Sequence, residues 1–275
     1  MSLANPYVCV LLRFYILNRG VNNEKVVQIS DNYIRIAFTY CRICNSRNKN
    51  RNDNNTFWRW RRLSVDVRDG FMLAINQSGR SDIKVIIEDD QRKPDVAVKL
   101  ADKMVQSEKV DILTGIIWSN LAMAVVPSVT AQGKFYLSPN AGPSALAGKG
   151  CHENYFNVAW QNDNLYEAAG AYANSAGVGN SFVLAPNYPA GKDAIVGYKR
   201  TFKGDIAGEL YTKLGQTDYA AEIAQIRASG AENVFFFLPG GMGISFLKQY
   251  AASGVDIPLT GPAFSFDQGI LQAVG

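Results

Sequence analysis

From Val65 to the end of the chain, apolar residues recur in two periods that alternate along the sequence. Apolar positions three and four residues apart predict amphipathic helices, and the short apolar runs between them predict buried strands. Helices are predicted at Val65–Asn76, Asp95–Ser107, Asn120–Ala131, Asn164–Ser175, Gly191–Lys203, Tyr219–Ser229 and Ile244–Ser253, and strands at Ile83–Ile87, Val110–Thr114, Phe135–Leu137, Tyr155–Val158, Phe182–Ala185, Glu209–Lys213, Val234–Leu238 and Pro258–Thr260. Strands that alternate with helices of about 10–15 residues are typical of βαβ units, so the pattern predicts an α/β fold with parallel sheets.

The predicted strands fall into two sets, one that continues through Leu137 and one that begins at Phe182. We therefore expect two doubly wound, parallel-sheet lobes joined by a hinge, with the crossing near Asn157–Gln161. Residues 63–157 form the N-terminal lobe of this prediction, and residues 158–275 form the C-terminal lobe. Crevices between such lobes, outside the carboxyl ends of the strands, are the usual places for a small ligand.

The first 62 residues lack this regularity. Ile34–Tyr40 alternates like a half-buried strand and is a possible first strand of the sheet. Residues 41–62 are rich in Asn and Arg without an apolar period, and residues 1–62 as a whole are expected to be an atypical, partly disordered N-terminal segment. A basic, Trp-containing arm that binds nucleic acid or a membrane surface is the alternative. Cys41 and Cys44 have the spacing of a metal or redox pair but lack a second Cys/His pair, so we interpret them as incidental.

The net charge of +4 conceals an uneven distribution. Residues 1–62 carry 11 Lys and Arg against 3 Asp and Glu, whereas residues 63–275 carry 17 against 21. The regular part is therefore mildly acidic, which argues against nucleic-acid binding. No run of 18 apolar residues predicts a membrane-spanning helix. Tyr7–Leu17 has the length of a signal-peptide core, but Arg13 interrupts it and no basic residue precedes it, so it makes no convincing signal peptide.

Two successive predicted strands run into polar turns made of small residues. The strand at Val110–Thr114 leads to Trp118 and Ser119, and the strand at Phe135–Leu137 leads to Asn140–Gly142. The N-terminus of a helix carries partial positive charge and unpaired N–H groups, which suit a carboxylate. The pattern predicts a small-molecule site here. Ordinary helix capping and turn formation by Ser119 and Asn140 is the alternative interpretation.

Three aromatic residues, Trp118, Trp160 and Phe264, lie at strand ends or crossings and not at helical core spacing. They either form walls for a flat or apolar ligand or pack at the junction of the lobes. The sequence pattern alone favours neither interpretation.

Three acidic residues are candidates for a functional role. Asp89 and Asp90 are adjacent, as in a catalytic pair, but we interpret them as a structural turn after the second strand. Asp163 opens the helix that follows the crossing, where it is expected to be the N-cap.

A set of short motifs, in this order and spacing, makes residues 63–275 similar to a known family. The motifs are Val67–Phe71, Glu88–Asp95, Gly115–Asn120, Ser138–Pro143, Trp160–Asp163, Asn187–Gly191 and Gly261–Phe264. They resemble the type I periplasmic solute-binding proteins of ABC importers, of the group that binds branched-chain amino acids. The resemblance implies two lobes that close on a solute and present it to a membrane permease. It also implies a periplasmic, monomeric protein that is not an enzyme and needs no cofactor or metal.

The resemblance also implies which residues contact the ligand. These expected contacts are Trp118, Ser119, Asn140, Ala141, Gly142, Trp160, Tyr188 and Phe264. Members that bind amino acids place an acidic residue in the Gly-Pro loop against the ligand's ammonium, whereas this chain has Ala263 and Phe264 there. Because an ammonium buried without a carboxylate is costly, we expect an apolar or aromatic acid in preference to a branched-chain amino acid.

Two departures from the family pattern concern the ends of the chain. Residues 41–62 stand where the family has a short loop after its first strand, and the family continues past Gly275 with further secondary structure. We therefore expect the second lobe to be incomplete, and the N-terminal segment to be a replacement.

Two other functions remain open at this point. A nucleotide-dependent oxidoreductase would use Pro239–Gly243 as its phosphate loop, but the run lacks the Gly-x-Gly-x-x-Gly spacing and a suitably placed acidic residue. A ligand-sensing receptor domain would keep the same fold, and the fold itself does not distinguish it from a transport protein.

Overall fold

The computed structural model describes residues 34–40 and 57–275 of the chain. The predictions for Tyr7–Leu17 and for the pair Cys41 and Cys44 lie outside these residues. The helices and strands, in chain order, are β1 Ile34–Tyr40, α1 Phe57–Gln77, β2 Ile83–Asp89, α2 Pro94–Gln106, β3 Ile112–Thr114, α3 Ser119–Ala131, β4 Phe135–Ser138, α4 Ser144–Ala147, β5 Tyr155–Asn157, α5 Asn162–Ser175, β6 Asn180–Pro186, α6 Pro189–Thr201, β7 Asp205–Thr212, α7 Ala220–Ala228, β8 Asn233–Phe236, α8 Gly241–Ser253, β9 Leu259–Thr260, a 3-10 helix Ala263–Phe266 and α9 Gln268–Val274.

The strands form two parallel sheets, which confirms the predicted fold class. The first sheet has the order β2-β1-β3-β4-β5, and the second has the order β7-β6-β8-β9. The expected strand at Ile34–Tyr40 is present and pairs with both β2 and β3. The bounds of the two predicted lobes stay a prediction.

The central strands of the second sheet are buried on both faces, as parallel strands covered by helices require. Phe182, Val183, Leu184 and Ala185 on β6 are all buried, as are the four residues of β8. An unbroken apolar run of this kind stabilises a central strand, since side chains on either face of the sheet meet helices. The same runs explain why the sequence pattern located the central strands well.

The fold differs from the sequence pattern in several places, including unpredicted short helices at Ser144–Ala147 and Ala263–Phe266. Helix α1 begins at Phe57, inside the range expected to lack regular structure, and not at Val65. Strand β7 begins at Asp205 and not at Glu209, because an edge strand buries fewer residues and Gly208 interrupts its apolar pattern. Helix α9 was not predicted; Asp267 caps it by accepting a hydrogen bond from the Ile270 N–H at 2.8 Å.

The described helices include none with the length and apolar character that crossing a membrane requires. Among the same residues, no group of three or more His, Cys, Asp and Glu side chains is arranged to hold a metal ion.

Candidate functional site

A cavity of about 520 Å³ lies where the carboxyl ends of strands from both sheets converge. In the first sheet Thr114 at the end of β3 lies opposite Leu137 near the end of β4, so the loops that follow are neighbours. In the second sheet Leu184 on β6 lies opposite Phe236 at the end of β8. Seven of the eight expected contact residues line the cavity: Trp118, Ser119, Asn140, Ala141, Trp160, Tyr188 and Phe264.

Gly142, the eighth expected contact, is not among the described residues that line the cavity. It lies where two segments of the chain cross at very short range. A Cβ at this position would lie 1.8 Å from the Trp160 carbonyl oxygen, and the Gly142 carbonyl accepts a hydrogen bond from the Asn162 N–H at 2.8 Å. The structure therefore explains this glycine by backbone packing that holds Trp160 at the cavity edge.

Ser119 is the first residue of α3 and is 3% exposed. The residue at the N-cap is Trp118, and it makes no side-chain capping hydrogen bond. The first N–H groups of a helix have no partner within the helix, and they carry its partial positive charge. The Ser119 hydroxyl accepts a hydrogen bond from the Asn162 amide at 3.2 Å. It does not cap the helix, so the capping interpretation of Ser119 is wrong.

Asn140 and Ala141 belong to a turn that is tied to its surroundings. The Asn140 amide nitrogen donates to the Ile117 carbonyl at 2.9 Å, which joins the loop after β4 to the loop after β3. The Ala141 carbonyl accepts hydrogen bonds from the hydroxyls of Ser138 and Tyr155. Asn140 therefore has the structural role that turn formation predicts, and it also borders the cavity.

Aromatic rings from both sheets meet around the cavity. The Trp118 and Tyr188 ring centres are 5.9 Å apart, and Tyr188 stacks on Phe237 at 6.4 Å. Trp160 stacks on Phe264 at 6.5 Å, and Phe264 meets Phe237 edge to face. The two interpretations of these residues are thus compatible, because the rings pack on one another at the junction and also line the cavity.

The pattern analysis missed Phe237 and Tyr166, which also line the cavity. Phe237 directly follows β8, so the rule applied to the first sheet could have found it. Tyr166 lies one turn into α5 and carries no such signal. Burial, followed by the negative charge of Asp193, raises the pKa of Tyr188 above its usual value. Burial likewise raises the pKa of Tyr166, so both phenols are neutral hydroxyls at physiological pH.

Two carboxylates also line the cavity, Asp66 on α1 and Asp267 at the start of α9. The ligand preference drawn from Ala263 and Phe264 stays a prediction, but it did not take these two carboxylates into account. Asp267 was missed because it lies past the Gly261–Phe264 motif and caps a helix of only seven residues, whose periodic signal is weak. One oxygen of Asp267 is engaged in capping α9, and Asp66 is exposed.

The remaining acidic residues have structural roles. Asp89 and Asp90 accept hydrogen bonds at 2.8 Å from the N–H groups of Gln91 and Arg92, as expected for a turn. Asp163 is not the N-cap of α5, which is Gln161. Burial tends to raise the pKa of Asp163, but hydrogen bonds, including those from Arg200 and Gln161, lower it below its usual value.

Comparison with known proteins agrees with this architecture. A family model described as periplasmic binding protein matches residues 63–275. A Leu/Ile/Val-binding protein homolog 6 of Brucella melitensis is 27% identical over 210 residues, which cover 73% of this chain and 53% of that protein. The chain thus spans about half the length of the curated relatives that it matches.

Solved structures of solute-binding proteins have a similar fold. A solute-binding protein of an ABC transporter from R. palustris, in complex with benzoate, is 27% identical with a TM-score of 0.76, and the match covers 88% of this chain and 65% of that one. The branched-chain amino acid transporter substrate-binding protein of Streptococcus pneumoniae, in complex with isoleucine, shares the fold with a TM-score of 0.70 at 17% identity, over 88% of this chain and 67% of that one. This chain belongs to the periplasmic binding protein family.

Proposed function

We propose that this chain is the substrate-binding component of an ABC importer and that it captures a small aromatic carboxylate between its two sheets. The observation that carries the proposal is the cavity itself, in which the N-terminus of α3 faces aromatic rings contributed by both sheets. Its volume of about 520 Å³ lies within the range of about 300–1,000 Å³ that is usual for small-molecule sites.

The two ends of the ligand would meet different surroundings. Ser119 and the first N–H groups of α3 offer donors to the carboxylate, with the partial charge of the helix adding to the attraction. Trp118, Tyr188 and Phe237 offer apolar faces to the ring, and aromatic pairs of this kind contribute about 0.5–1.5 kcal/mol beyond the burial of their area. The neutral Tyr188 hydroxyl adds a hydrogen-bond donor from the second sheet.

Both ligand classes have support among related proteins. The R. palustris protein holds benzoate, and the curated relatives are named as Leu/Ile/Val-binding homologues. The presence of Asp66 and Asp267 at the cavity favours the second candidate, a branched-chain amino acid, because either carboxylate could pair with an ammonium. We favour the aromatic acid, since Asp267 is engaged with α9 and Asp66 is exposed.

The proposal includes a periplasmic location, a membrane permease as partner, and a monomeric protein that binds its ligand without changing it chemically. The family match, described as periplasmic binding protein, supports the location, and the similar solute-binding proteins of ABC transporters support a permease partner. The proposed mechanism involves no catalytic residues. The aromatic walls and the helix N-terminus would bind and orient a ligand, and closure of the two sheets on it would exclude water.

The proposal is tested by calorimetric titration of the 275-residue chain with benzoate, 4-hydroxybenzoate, leucine, isoleucine and NAD. We expect the aromatic acids to bind at least about tenfold more tightly than the amino acids, and NAD not to bind. Ser119→Ala is expected to weaken benzoate binding about tenfold, as loss of a hydrogen bond to a charged group predicts. Ser175→Ala is the matched control, because its hydroxyl bonds only within α5. Leucine binding without benzoate binding would contradict the proposed ligand class.

A further inference from the structure

Four polar residues form a connected group beside the cavity. Asn162 begins α5, Asp193 lies on α6, Ser144 begins α4 and Ser119 begins α3. The group thus joins elements that follow strands of the first sheet to a helix that covers the second. Asn162 is 5% exposed, and its amide nitrogen donates to Ser119 Oγ at 3.2 Å and to Asp193 Oδ2 at 3.0 Å.

The chemistry of Asp193 determines which way the Asn162 amide faces. Asp193 Oδ2 also accepts the Ser144 N–H at 3.0 Å, so this oxygen acts as an acceptor toward both neighbours. An acceptor oxygen requires the amide nitrogen, and not the amide oxygen, to face it. The same nitrogen carries the hydrogen that points at Ser119. Asp193 therefore holds Asn162 as a donor toward the cavity serine.

The position of Asn162 is held by the backbone as well. Its N–H donates to the Gly142 carbonyl at 2.8 Å. Helix α6 approaches the start of α5 closely at Gly197, where a Cβ would lie 2.3 Å from the Asp163 carbonyl oxygen. The distance between Asn162 and Asp193 is thus set by helix packing, so the amide has little freedom to turn away.

A serine hydroxyl that accepts a hydrogen bond has its own proton available for another acceptor. Within the described part of the chain, Ser119 Oγ accepts from Asn162 and donates to no protein acceptor. We infer that Asn162 is a positioning residue that makes Ser119 a hydrogen-bond donor toward the cavity, so that the site prefers an anionic carboxylate to a neutral group of the same shape. This inference rests on the proposed function and names the feature that distinguishes the charged ligand.

The test compares benzoate with benzamide, its neutral isostere, by calorimetric titration. Benzoate accepts at both oxygens, whereas benzamide replaces one acceptor with a donor. Wild type is expected to bind benzoate at least about tenfold more tightly than benzamide, because hydrogen bonds to charged groups are roughly twice as strong as neutral ones. Asn162→Ala is expected to reduce this ratio about tenfold. Asp193→Asn, which retains the shape but permits either amide orientation, is expected to reduce it by a smaller factor.

Asn174→Ala is the matched control. Asn174 lies on the same helix, and its side chain also makes two hydrogen bonds, to the Thr201 carbonyl and from the Lys203 N–H, but away from the cavity. It is expected to lower stability and to leave the benzoate-to-benzamide ratio unchanged. A ratio that stays at the wild-type value in both Asn162→Ala and Asp193→Asn would overturn the inference.

A measurement without ligand separates the inference from the proposed function. In the free protein, NMR of the side-chain amides should show two slowly exchanging Asn162 protons, of which Ser119→Ala perturbs one and Asp193→Asn perturbs the other. If this pattern is seen and benzoate does not bind, the hydrogen-bond arrangement stands and the proposed ligand is wrong. Rapid exchange of both protons in wild type would overturn the inference whatever the protein binds.

Discussion

Gly142→Ala is the substitution for which the structure predicts the clearest loss. Gly142 lies in the turn between β4 and α4, where the added Cβ would come within 1.8 Å of the Trp160 carbonyl oxygen and 2.7 Å of Asn157 Nδ2. Real Cβ atoms essentially never approach a neighbour within 3.0 Å, so the Trp160 carbonyl has to retreat by roughly 1.2 Å. The clashing atom belongs to the backbone of Trp160, so no change of side-chain rotamer can relieve the contact.

The size of the effect follows from the cost of overpacking. Forcing extra atoms into a packed region costs about 1–3 kcal/mol, and the backbone contact places Gly142→Ala at the upper end of this range. The retreat also strains the hydrogen bond at 2.8 Å between the Asn162 N–H and the Gly142 carbonyl. We expect the free energy of unfolding to fall by about 3 kcal/mol. Because Trp160 lines the cavity, ligand affinity should fall as well.

Urea denaturation followed by circular dichroism measures the loss, with Gly70→Ala as the matched control. Gly70 is inside α1, is exposed, and has nothing within 4 Å of an added Cβ. Alanine is a better helix former, so Gly70→Ala should raise the free energy of unfolding by about 0.5–1 kcal/mol. If Gly142→Ala is as stable as wild type to within about 0.5 kcal/mol, the close crossing described for Gly142 and Trp160 is refuted.

Three further predictions concern the core, an ion pair and the cavity. Phe235→Ala removes a fully buried ring that stacks on Tyr198 at 4.3 Å, and it should lower the free energy of unfolding by about 3–5 kcal/mol in urea titrations. Arg200→Ala should cost about 1 kcal/mol at pH 7, because Arg200 is half exposed and its partner Asp163 is buried. Since the pKa of Asp163 is lowered in the fold, the stabilisation by the ion pair is present above the usual pKa of 3.8 and is lost as the pH falls through the lower folded value. If the difference in unfolding free energy between wild type and Arg200→Ala grew on acidification, the ion pair would not be its cause. Tyr188→Phe should retain the stacking on the neighbouring rings and weaken benzoate binding only severalfold, whereas Tyr188→Ala should abolish binding measured by calorimetry.

The fold was predictable from the sequence where a strand is central and apolar throughout. The runs at Phe182–Ala185 and Val234–Leu238 are buried on both faces, so each of their residues contributes to the signal. Edge strand β7 and the short helix α9 gave weaker signals, because only Thr212 of the eight β7 residues is buried and α9 depends on a single capping side chain, Asp267. The periodicity of apolar residues does not indicate a short helix such as α9, whose start depends on one capping hydrogen bond.

The site was predictable where it follows strand ends in the chain. Ser119 and Asn140 were found by this rule, and Tyr188 by resemblance to the family, and all three line the cavity. Asp66 and Tyr166 were not found, because each lies on a helix whose apolar pattern predicts only a buried face. Their presence at the cavity is a consequence of how the two sheets are placed, which is a tertiary property that no short segment of sequence encodes.

The most direct test of the account is a crystal structure of the chain with benzoate bound. We expect the carboxylate within hydrogen-bond distance of Ser119 and the N-terminus of α3, with the ring packed against the cavity-facing sides of Trp118, Tyr188 and Phe237. Benzoate bound with its carboxylate toward Asp267, or held outside the cavity between the two sheets, would contradict it.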